Sequence, residues 1–269
     1  MNLTGLWLNN FRSYEKLYLP LAPNLTVLVG DNAQGKTNLL EAIFFCCTAR
    51  SHRTNKEKEL IRWNCDRSYI KAEAERNDGR HRVEITINRN SKKCISVNAL
   101  PIKRVGELLG HMHCVMFSPE DLTLVKAGPA ERRRFIDIEV SQVRKPYYYA
   151  LAKYLSTLDQ RNKLLKSLQF SSSLLETLDI WDEQLADAGS KIIMYRSEFV
   201  ERLRPLAQEV HRHITSGQES LGLQYSTQIE PDSIESVKSG LIEKLKAKRD
   251  DDISRGTTTV GPHRDDLAV

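Results

Sequence analysis

The chain of 269 residues is poor in cysteine and has no long hydrophobic run, and both absences exclude classes of protein. Its five cysteines include the adjacent pair Cys46 and Cys47, and no C-x-x-C motif is present. The odd count and the spacing predict reduced thiols in a cytoplasmic protein rather than a disulfide framework or a zinc site. No run of about 18 apolar residues occurs, so no membrane span is expected. The N-terminus lacks the basic segment and apolar core of a signal peptide.

Charge of either sign is not in strong excess. The chain carries 40 Lys and Arg against 35 Asp and Glu, a net charge of +5. This bias is compatible with a polyanionic partner but too weak to establish one. The length predicts one to two domains.

The first part of the chain has the patterns of a β-rich layer. Residues 2–29 predict strands, and the last of them, the continuously apolar "LTVLV" before Gly30, predicts a buried strand. Apolar residues at helical spacing then predict a helix from about Lys36. Alternation over residues 66–100 predicts a strand meander with a turn at "NDG". Residues 113–117 predict one more apolar strand.

The second part is mainly helical. The chain is predicted to be helical from Pro129 to about Ile214, with apolar stripes at three- and four-residue intervals over residues 147–168 and 175–210, separated by "QFSSS". Two long helices joined by this Ser-rich turn predict an antiparallel pair. Residues 216–230 predict a turn and a strand, residues 232–248 a helix, and the remainder strand and loop.

One motif carries chemistry. The pattern G-x-x-x-x-G-K-[ST], with a strand predicted before it and a helix after it, is a phosphate-binding loop. Backbone N–H groups of such a loop and the positive end of the following helix bind phosphates, the lysine reaches the β- and γ-phosphates, and the hydroxyl binds Mg²⁺. Here the loop, called the phosphate loop below, consists of Gly30, Asp31, Asn32, Ala33, Gln34, Gly35, Lys36 and Thr37.

The rest of an ATPase site is missing. An ATPase of this kind needs a carboxylate at a strand end to hold Mg²⁺ and another to position water. Asp182-Glu183 has helical spacing and predicts solvent-facing helix residues, whereas Asp265-Asp266 precedes apolar residues instead of following them. The triplet at residues 216–218 predicts a turn rather than an ABC signature. No catalytic residue is therefore assigned.

Several stretches together resemble one family. "LNNFRSYEKLYLPLAPNLTVLVGDNAQGKTNLLEAIFF", "CVMFSPEDLTLVKAGPAERRRFIDIEV", "LDQRNKLLK" and "TVGPHRDDL" resemble landmarks of the RecF family, SMC-related ATPases of bacterial recombinational repair, in the same order. One departure is Ala33, where the family usually has Gly. RecF proteins also continue past "GPHRDD", so we expect this chain to lack the C-terminal part that would carry the signature and the carboxylate strand.

The resemblance implies an α/β fold, a P-loop NTPase of the ABC/SMC-type head with a mixed sheet lobe and a helical second lobe. Residues 1–115 plus 216–269 would form the ATP-binding lobe, and residues 116–215 the helical lobe. It also implies ATP and Mg²⁺ as cofactors and a homodimer that encloses ATP. Such a dimer would bind DNA at single-strand/double-strand junctions and help RecR and RecO place RecA on gapped DNA. Hydrolysis would be weak and DNA-dependent in the full-length family, and absent in this chain.

The resemblance also suggests roles near the nucleotide. An Arg at the position of Arg12 approaches the nucleotide in SMC-type heads, and the alternative is a surface salt bridge. The segment Ser51-His52-Arg53 would lie near the nucleotide or DNA, or form a solvated basic turn.

Three further groups of residues each allow two interpretations of their role. Glu120 and Asp121 would sense the γ-phosphate or cap the next helix. The run at residues 132–134 would meet DNA phosphates through Arg133 or its neighbours, or form a solvated helix face. His263 and Arg264 would lie near a dimer interface or pack within their loop.

Three functions follow from these observations. The first is an ATP-dependent, dimerising DNA clamp of the RecF type. The second is a nucleotide-binding module that neither hydrolyses ATP nor dimerises tightly, because the signature and the carboxylates are missing. The third, a kinase-like enzyme, ranks last because no substrate-binding constellation accompanies the loop.

Overall fold

The computed structural model describes residues 1–169 and 172–269, without the side chains of Glu120 and of residues 172–174. Phe170 and Ser171, part of the predicted Ser-rich turn, lie outside the described residues. The chain divides into two compact units, Met1–Met116 and Phe117–Val269.

The first unit is built on an antiparallel sheet and one long helix. Its elements are β1 (Asn2–Phe11), β2 (Tyr14–Pro20), α1 (Lys36–Thr48), a 3₁₀ turn (Glu57–Leu60), β3 (Arg67–Arg76), β4 (Gly79–Asn88), β5 (Cys94–Val97), β6 (Leu100–Ile102) and the short α2 (Val105–Leu108).

The sheet of the first unit has the order β2-β1-β3-β4-β5-β6, and every neighbouring pair is antiparallel. Side chains alternate along β3, so that Ile70, Ala72 and Ala74 are buried on one face. The core of the unit joins this face to the buried residues of α1. The meander predicted for residues 66–100 is therefore confirmed.

Two predicted apolar strands are wrong. Residues 25–29 are not in a strand, and Leu25, Val27 and Val29 are exposed. Residues 113–117 are also outside any strand, and Val115 and Phe117 are exposed. An apolar run becomes a buried strand only when neighbouring strands pair with its edges. Among the described residues, no strand of either sheet pairs with these two segments.

The second unit is mainly helical. Its elements are a 3₁₀ turn (Pro119–Leu122), α3 (Thr123–Lys126), α4 (Pro129–Val143), α5 (Lys145–Leu168), a 3₁₀ turn (Ser172–Thr177), α6 (Leu178–Ile214), β7 (Gln224–Ser226), α7 (Ile234–Ala247), α8 (Arg249–Arg255) and β8 (Asp266–Ala268).

The long helices α5 and α6 are antiparallel, as predicted. Cross-helix pairs run in opposite directions along the two helices, from Tyr147–Tyr195 through Lys153–Asp187 to Arg161–Asp182. Their apolar stripes share a core with buried residues of α4 and α7.

The end of the chain packs within the second unit. β7 and β8 pair antiparallel, and their residues join the same core as α6 and α7. Residues 217–269 thus belong to the helical unit in this structure. The assignment of residues 216–269 to an ATP-binding lobe stays a prediction.

None of the helices in the described part of the chain combines the length and the apolar character needed to cross a membrane.

Candidate functional site

The phosphate loop is open to solvent, and its last two residues, Lys36 and Thr37, are the first two of α1. Residues 31–34 are exposed, and the loop reaches α1 through Gly35, which has φ 92°. A Cβ at Gly35 would lie 3.0 Å from the Ser13 hydroxyl and from the Tyr14 hydroxyl. Both the backbone angle and this close approach of the β1–β2 turn therefore require glycine.

Ala33 also adopts a left-handed conformation, with φ 65°. This conformation costs a residue with a Cβ roughly 1–2 kcal/mol. The replacement of the usual glycine is thus a local strain, which the chain tolerates at this position.

The side chain of Lys36 crosses the mouth of the loop. Its Nζ donates to the Gly30 carbonyl at 2.6 Å and to the Asp31 carbonyl at 2.7 Å. The ammonium is therefore held against the backbone at the start of the loop, in a motif whose backbone N–H groups bind anions.

The N-terminus of α1 is available to an anion. No side chain caps it, and its first turn holds no acidic residue. Uncapped N–H groups together with the helix dipole favour a negative group at this end. Thr37, the second residue of α1, is exposed beside it.

One buried carboxylate lies a turn further along α1. Glu41 is fully buried, and Arg12 clamps it with Nε and Nη2 bonds of 2.8 and 2.7 Å. The Ser51 hydroxyl donates a third bond at 2.6 Å. A planar guanidinium matched to a carboxylate in this way forms a strong, directional pair.

The surroundings of Glu41 keep it ionised. Burial raises the pKa of this carboxyl, but the hydrogen bonds from Arg12 and Ser51 and the nearby positive charges outweigh burial, so the pKa is lowered. Glu41 is thus an anion at neutral pH and fixes the orientation of Arg12.

Arg12 is more than a surface salt bridge. Its backbone has φ 53°, its N–H donates to the Leu60 carbonyl, and its Nη1 donates to the Glu59 carbonyl at 2.9 Å. An arginine has five N–H donors, and the contacts with Glu41 and Glu59 use three of them. The contact of Arg12 with a nucleotide stays a prediction.

The segment at residues 51–54 lies against the start of α1. Arg53 donates to the Asn38 side chain at 3.1 Å, and Asn38 donates to the Ser13 hydroxyl at 3.0 Å. Ser51 is buried on Glu41, whereas the Arg53 side chain remains partly exposed. The segment is thus anchored beside the start of α1, and its position near a nucleotide or DNA stays a prediction.

Sequence reasoning missed Glu41, Asn38 and Ser13 as parts of this arrangement. A signal for Glu41 was present, because it is the only acidic residue in the otherwise apolar helix "KTNLLEAIFFCCT". A lone charge within a buried helix requires a partner. No comparable signal marks Asn38 or Ser13.

The arginine run of α4 is used inside the second unit. Arg132 holds Asp266 through two bonds of 2.7 and 2.8 Å, and Arg133 donates to the Asp265 carbonyl at 2.7 Å. Arg134 lies 3.9 Å from Glu131. Arg132 and Arg133 therefore tie α4 to the end of the chain, rather than forming a solvated face.

His263 is held within its loop. It lies 2.6 Å from the Tyr154 hydroxyl through Nδ1 and 3.0 Å from the Thr258 carbonyl through Nε2. Burial lowers the pKa of His263 to about 4. Arg264 is exposed and also contacts the Thr258 carbonyl. A role of either residue at a dimer interface stays a prediction.

Two expectations about carboxylates differ in outcome. Asp182-Glu183 lies in α6 as predicted, but the prediction that Asp182 faces solvent is wrong: it is buried against Arg161 and Arg249. The pattern of apolar residues did not reveal that Asp182 is buried, because a single buried ion pair produces no repeat at helical spacing. Asp265 is also buried, with its carboxylate on Tyr225, so these aspartates form structural contacts.

The turn predicted at residues 216–218 is confirmed, and Asp121, which was open between sensing the γ-phosphate and capping a helix, makes a capping contact. Residues 216–218 follow the end of α6 as a turn, with φ 52° at Ser216 and φ 75° at Gly217. Asp121 accepts from the Ser118 N–H at 2.5 Å, which closes the start of the 3₁₀ turn Pro119–Leu122 in the manner of a capping box. The side chain of Glu120 lies outside the described residues.

The described residues contain no group of three or more His, Cys, Asp or Glu side chains arranged to hold a metal ion. Mg²⁺ beside a bound nucleotide needs little from the protein, because phosphates and water supply most of its ligands. The exposed hydroxyl of Thr37 fits this demand, and its role as the metal ligand stays a prediction.

Comparison with known proteins gives a consistent result. The model of the AAA domain family matches residues 6–192. The chain is 43% identical over its whole length to the DNA replication and repair protein RecF of Clostridium perfringens strain SM101 and covers 73% of that protein. It is 39% identical to the RecF of Acetivibrio thermocellus, again over the whole chain, and covers 74% of it.

Solved structures agree. A structure of the recombination mediator protein RecF with ATP, in the RecFOR pathway, superposes with a TM-score of 0.93 at 33% identity. The match covers 99% of this chain and 72% of that one. The corresponding structure named RecF-ATPrS superposes with a TM-score of 0.91.

Proposed function

Because the chain belongs to the RecF family of DNA replication and repair proteins and has its α/β P-loop NTPase fold, we propose that it binds ATP with Mg²⁺ at the phosphate loop. The observation that carries the proposal is the placement of Lys36 over the loop, at the uncapped end of α1. Together they present one ammonium and several N–H groups to a phosphate chain.

Each proposed role follows from a position in the loop. Backbone N–H groups of residues 30–35 bind the phosphate oxygens, and Lys36 exchanges its bonds with the Gly30 and Asp31 carbonyls for bonds to the β- and γ-phosphates. Thr37 binds the Mg²⁺ ion. Arg12, held by Glu41, directs its remaining N–H donors at the nucleotide.

ATP in this proposal promotes association with DNA. Two copies of the chain would enclose two ATP molecules and bind DNA at single-strand/double-strand junctions. Together with RecO and RecR the dimer would place RecA on gapped DNA. The charge distribution supports a polyanionic partner for the first unit, which carries 18 Lys and Arg against 11 Asp and Glu.

Hydrolysis is not part of the function proposed for these residues. The two acidic pairs considered for hydrolysis, Asp182-Glu183 and Asp265-Asp266, lie in the second unit. Three of these aspartates contact other side chains there and join helices and loops: Asp182, Asp265 and Asp266. A binding module without brisk turnover is therefore the alternative that these contacts favour.

The test is nucleotide binding by the wild-type chain and by Lys36→Ala, measured by calorimetry with ATP and Mg²⁺. We expect the variant to lose measurable affinity, while Lys103→Ala, which changes an exposed lysine outside both the loop and the cleft lined by Arg12, binds as the wild type does. Retained affinity in Lys36→Ala would refute the loop assignment. Turnover above about 1 s⁻¹, as in kinases, would contradict the RecF-type function.

A further inference from the structure

A tryptophan stands almost fully in solvent on the first unit. Trp63 is 89% exposed and is the largest of the exposed apolar side chains in the described part of the chain. Tryptophan is highly buried on average in folded proteins. Exposed indole rings occur at binding sites, because one ring supplies a large, rigid contact area.

The turn that carries Trp63 is rigid. The Arg62 N–H donates to the Asn10 carbonyl, and the Cys65 N–H donates back to the Arg62 carbonyl at 3.2 Å. Asn64 takes the left-handed conformation, with φ 62°. Arg89 donates to the Cys65 carbonyl through both Nε and Nη2. The backbone that carries the indole is thus held in place before any ligand arrives, which lowers the entropy cost of binding.

Trp63 borders a cleft of about 1120 Å³. Its walls combine apolar side chains, Ile61 and Ile87 among them, with the cations Arg12, Lys58 and Arg89. The volume is that of a site for a small organic molecule, and the mixture of walls suits a ligand with one flat apolar part and one anionic part.

The charges in the cleft favour an anion. Of the acidic residues in its wall, Glu57 is paired with Lys93, and Glu59 and Asp66 remain against the cations Lys56, Lys58 and Arg89. Lys56 and Lys58 are exposed, and among the described residues no carboxylate lies within ion-pair distance of either. Their ammonium groups are free to meet phosphates.

Arg12 connects the cleft to the phosphate loop. Its guanidinium lines the cleft and clamps Glu41 in α1, the helix that starts at the loop. We propose that the cleft binds a nucleobase stacked on Trp63. The phosphates of a DNA strand would then meet Lys56 and Lys58, whereas those of ATP would extend past Arg12 to the phosphate loop. This inference rests on the proposed function, which supplies two sources of such a base: the adenine of ATP, or an unstacked base of single-stranded DNA.

The test pairs each base-containing ligand with a base-free one. Affinities of wild type, Trp63→Ala and Trp63→Phe are measured for ATP against tripolyphosphate, and for an oligothymidylate against an abasic oligonucleotide. We expect Trp63→Ala to weaken ATP or the oligothymidylate by about tenfold and to leave the base-free partner unchanged, with Trp63→Phe close to wild type. The ligand that weakens identifies the source of the base.

The control is Leu100→Ala, which removes another exposed apolar side chain of the first unit outside the cleft and should change no affinity. Equal binding of all four ligands by Trp63→Ala and Leu100→Ala overturns the inference and leaves the proposed function intact. A wild-type chain that binds neither ATP nor DNA overturns both. Because Trp63 is exposed, its removal should not unfold the unit, and circular dichroism checks this.

Discussion

Each of the two units buries an arginine against carboxylates, and the surroundings of the two arginines differ. In the first unit Arg12 clamps Glu41 but stays partly exposed, at the border of a cleft and beside an open loop. In the second unit Arg161 is fully buried between Asp182 and Asp252, with Thr258 as a further acceptor. The first arrangement orients an arginine that retains free donors, whereas the second joins α5, α6 and α8.

The overall charges follow the same division. The first unit has an excess of Lys and Arg, whereas the second has 22 Lys and Arg against 24 Asp and Glu. A surface that attracts polyanions needs uncompensated positive charge, and ion pairs that join helices need balanced charge. We infer that binding is concentrated in the first unit and that the ion pairs of the second unit serve stability.

The strongest expected effect concerns the second unit. Arg161→Met leaves Asp182 and Asp252 buried with less positive charge beside them, although Arg249 still contacts Asp182. Removing one partner of a buried pair costs about 3–5 kcal/mol. Urea unfolding should show this loss in the free energy of unfolding.

The matched control for that prediction is Lys163→Met on the same helix. Lys163 forms an exposed pair with Asp159, worth at most about 0.5 kcal/mol. If Arg161→Met were no more destabilising than Lys163→Met, the ion pairs around Arg161 would not stabilise the second unit. The contrast drawn between Arg12 and Arg161 would then be wrong.

The next effect concerns Glu41 in the first unit. Glu41→Gln keeps the shape but removes the charge that Arg12 faces, and a lost hydrogen bond between charged groups costs about 2 kcal/mol. The lowered pKa of Glu41 adds a pH dependence. Its stabilising contribution is present above the unfolded pKa of about 4.3 and is lost as the pH falls through the lower folded pKa.

The measurement is the free energy of unfolding of wild type and Glu41→Gln between neutral pH and pH 3. The difference between the two should be constant down to about pH 4.3 and should shrink below it. Glu15→Gln, in an exposed pair with Arg62, is the control and should show almost no difference at any pH. A difference in the free energy of unfolding between wild type and Glu41→Gln that grows as the pH falls would contradict the ion pair of Arg12 and Glu41.

A histidine of the second unit should contribute a pH dependence of its own, opposite in sign to that of Glu139, whose pKa burial raises to about 7. His263 has a folded pKa of about 4, below the value of about 6.5 in an unfolded chain. Between these values only the unfolded state binds the proton, so stability present above about pH 6.5 is lost as the pH falls toward 4. The slope approaches about 1.4 kcal/mol per pH unit for one proton.

His263→Gln should remove that slope between pH 4 and 6.5, measured by denaturant unfolding at several pH values. The exposed His213 is the control, since His213→Gln should leave the slope unchanged. An unchanged slope in His263→Gln would mean that His263 is not buried in its neutral form.

The sequence predicted those parts of the fold that depend on neighbouring residues. In the β3–β4 hairpin, in α1 and in the α5–α6 pair, apolar residues repeat at strand or helix spacing, and a short stretch of sequence is enough to show the repeat. The segments 25–29 and 113–117 have no period, so their structure depends on the strands available to pair with them.

The candidate site divides in the same way. The phosphate loop was predicted because its geometry is encoded in eight consecutive residues. The clamp on Glu41 joins residues 29 positions apart in the chain, and the Arg161–Asp252 pair joins residues 91 positions apart. A single sequence carries no signal for such pairs beyond the presence of a charge among apolar residues.

The smallest expected effect returns to the phosphate loop. Ala33→Gly removes a Cβ from a left-handed residue, which relieves roughly 1–2 kcal/mol of strain but adds about 0.4–1 kcal/mol of unfolded-state entropy. The difference between these ranges predicts a net gain of about 0 to 1.6 kcal/mol in the free energy of unfolding. Ala99→Gly, at φ 65° in the β5–β6 turn, is the matched control and should gain as much.

Only Ala33→Gly should also change the affinity for ATP, because only Ala33 lies in the proposed binding loop. Equal ATP affinities in the two variants would show that Ala33 contributes strain to the fold and nothing to nucleotide binding.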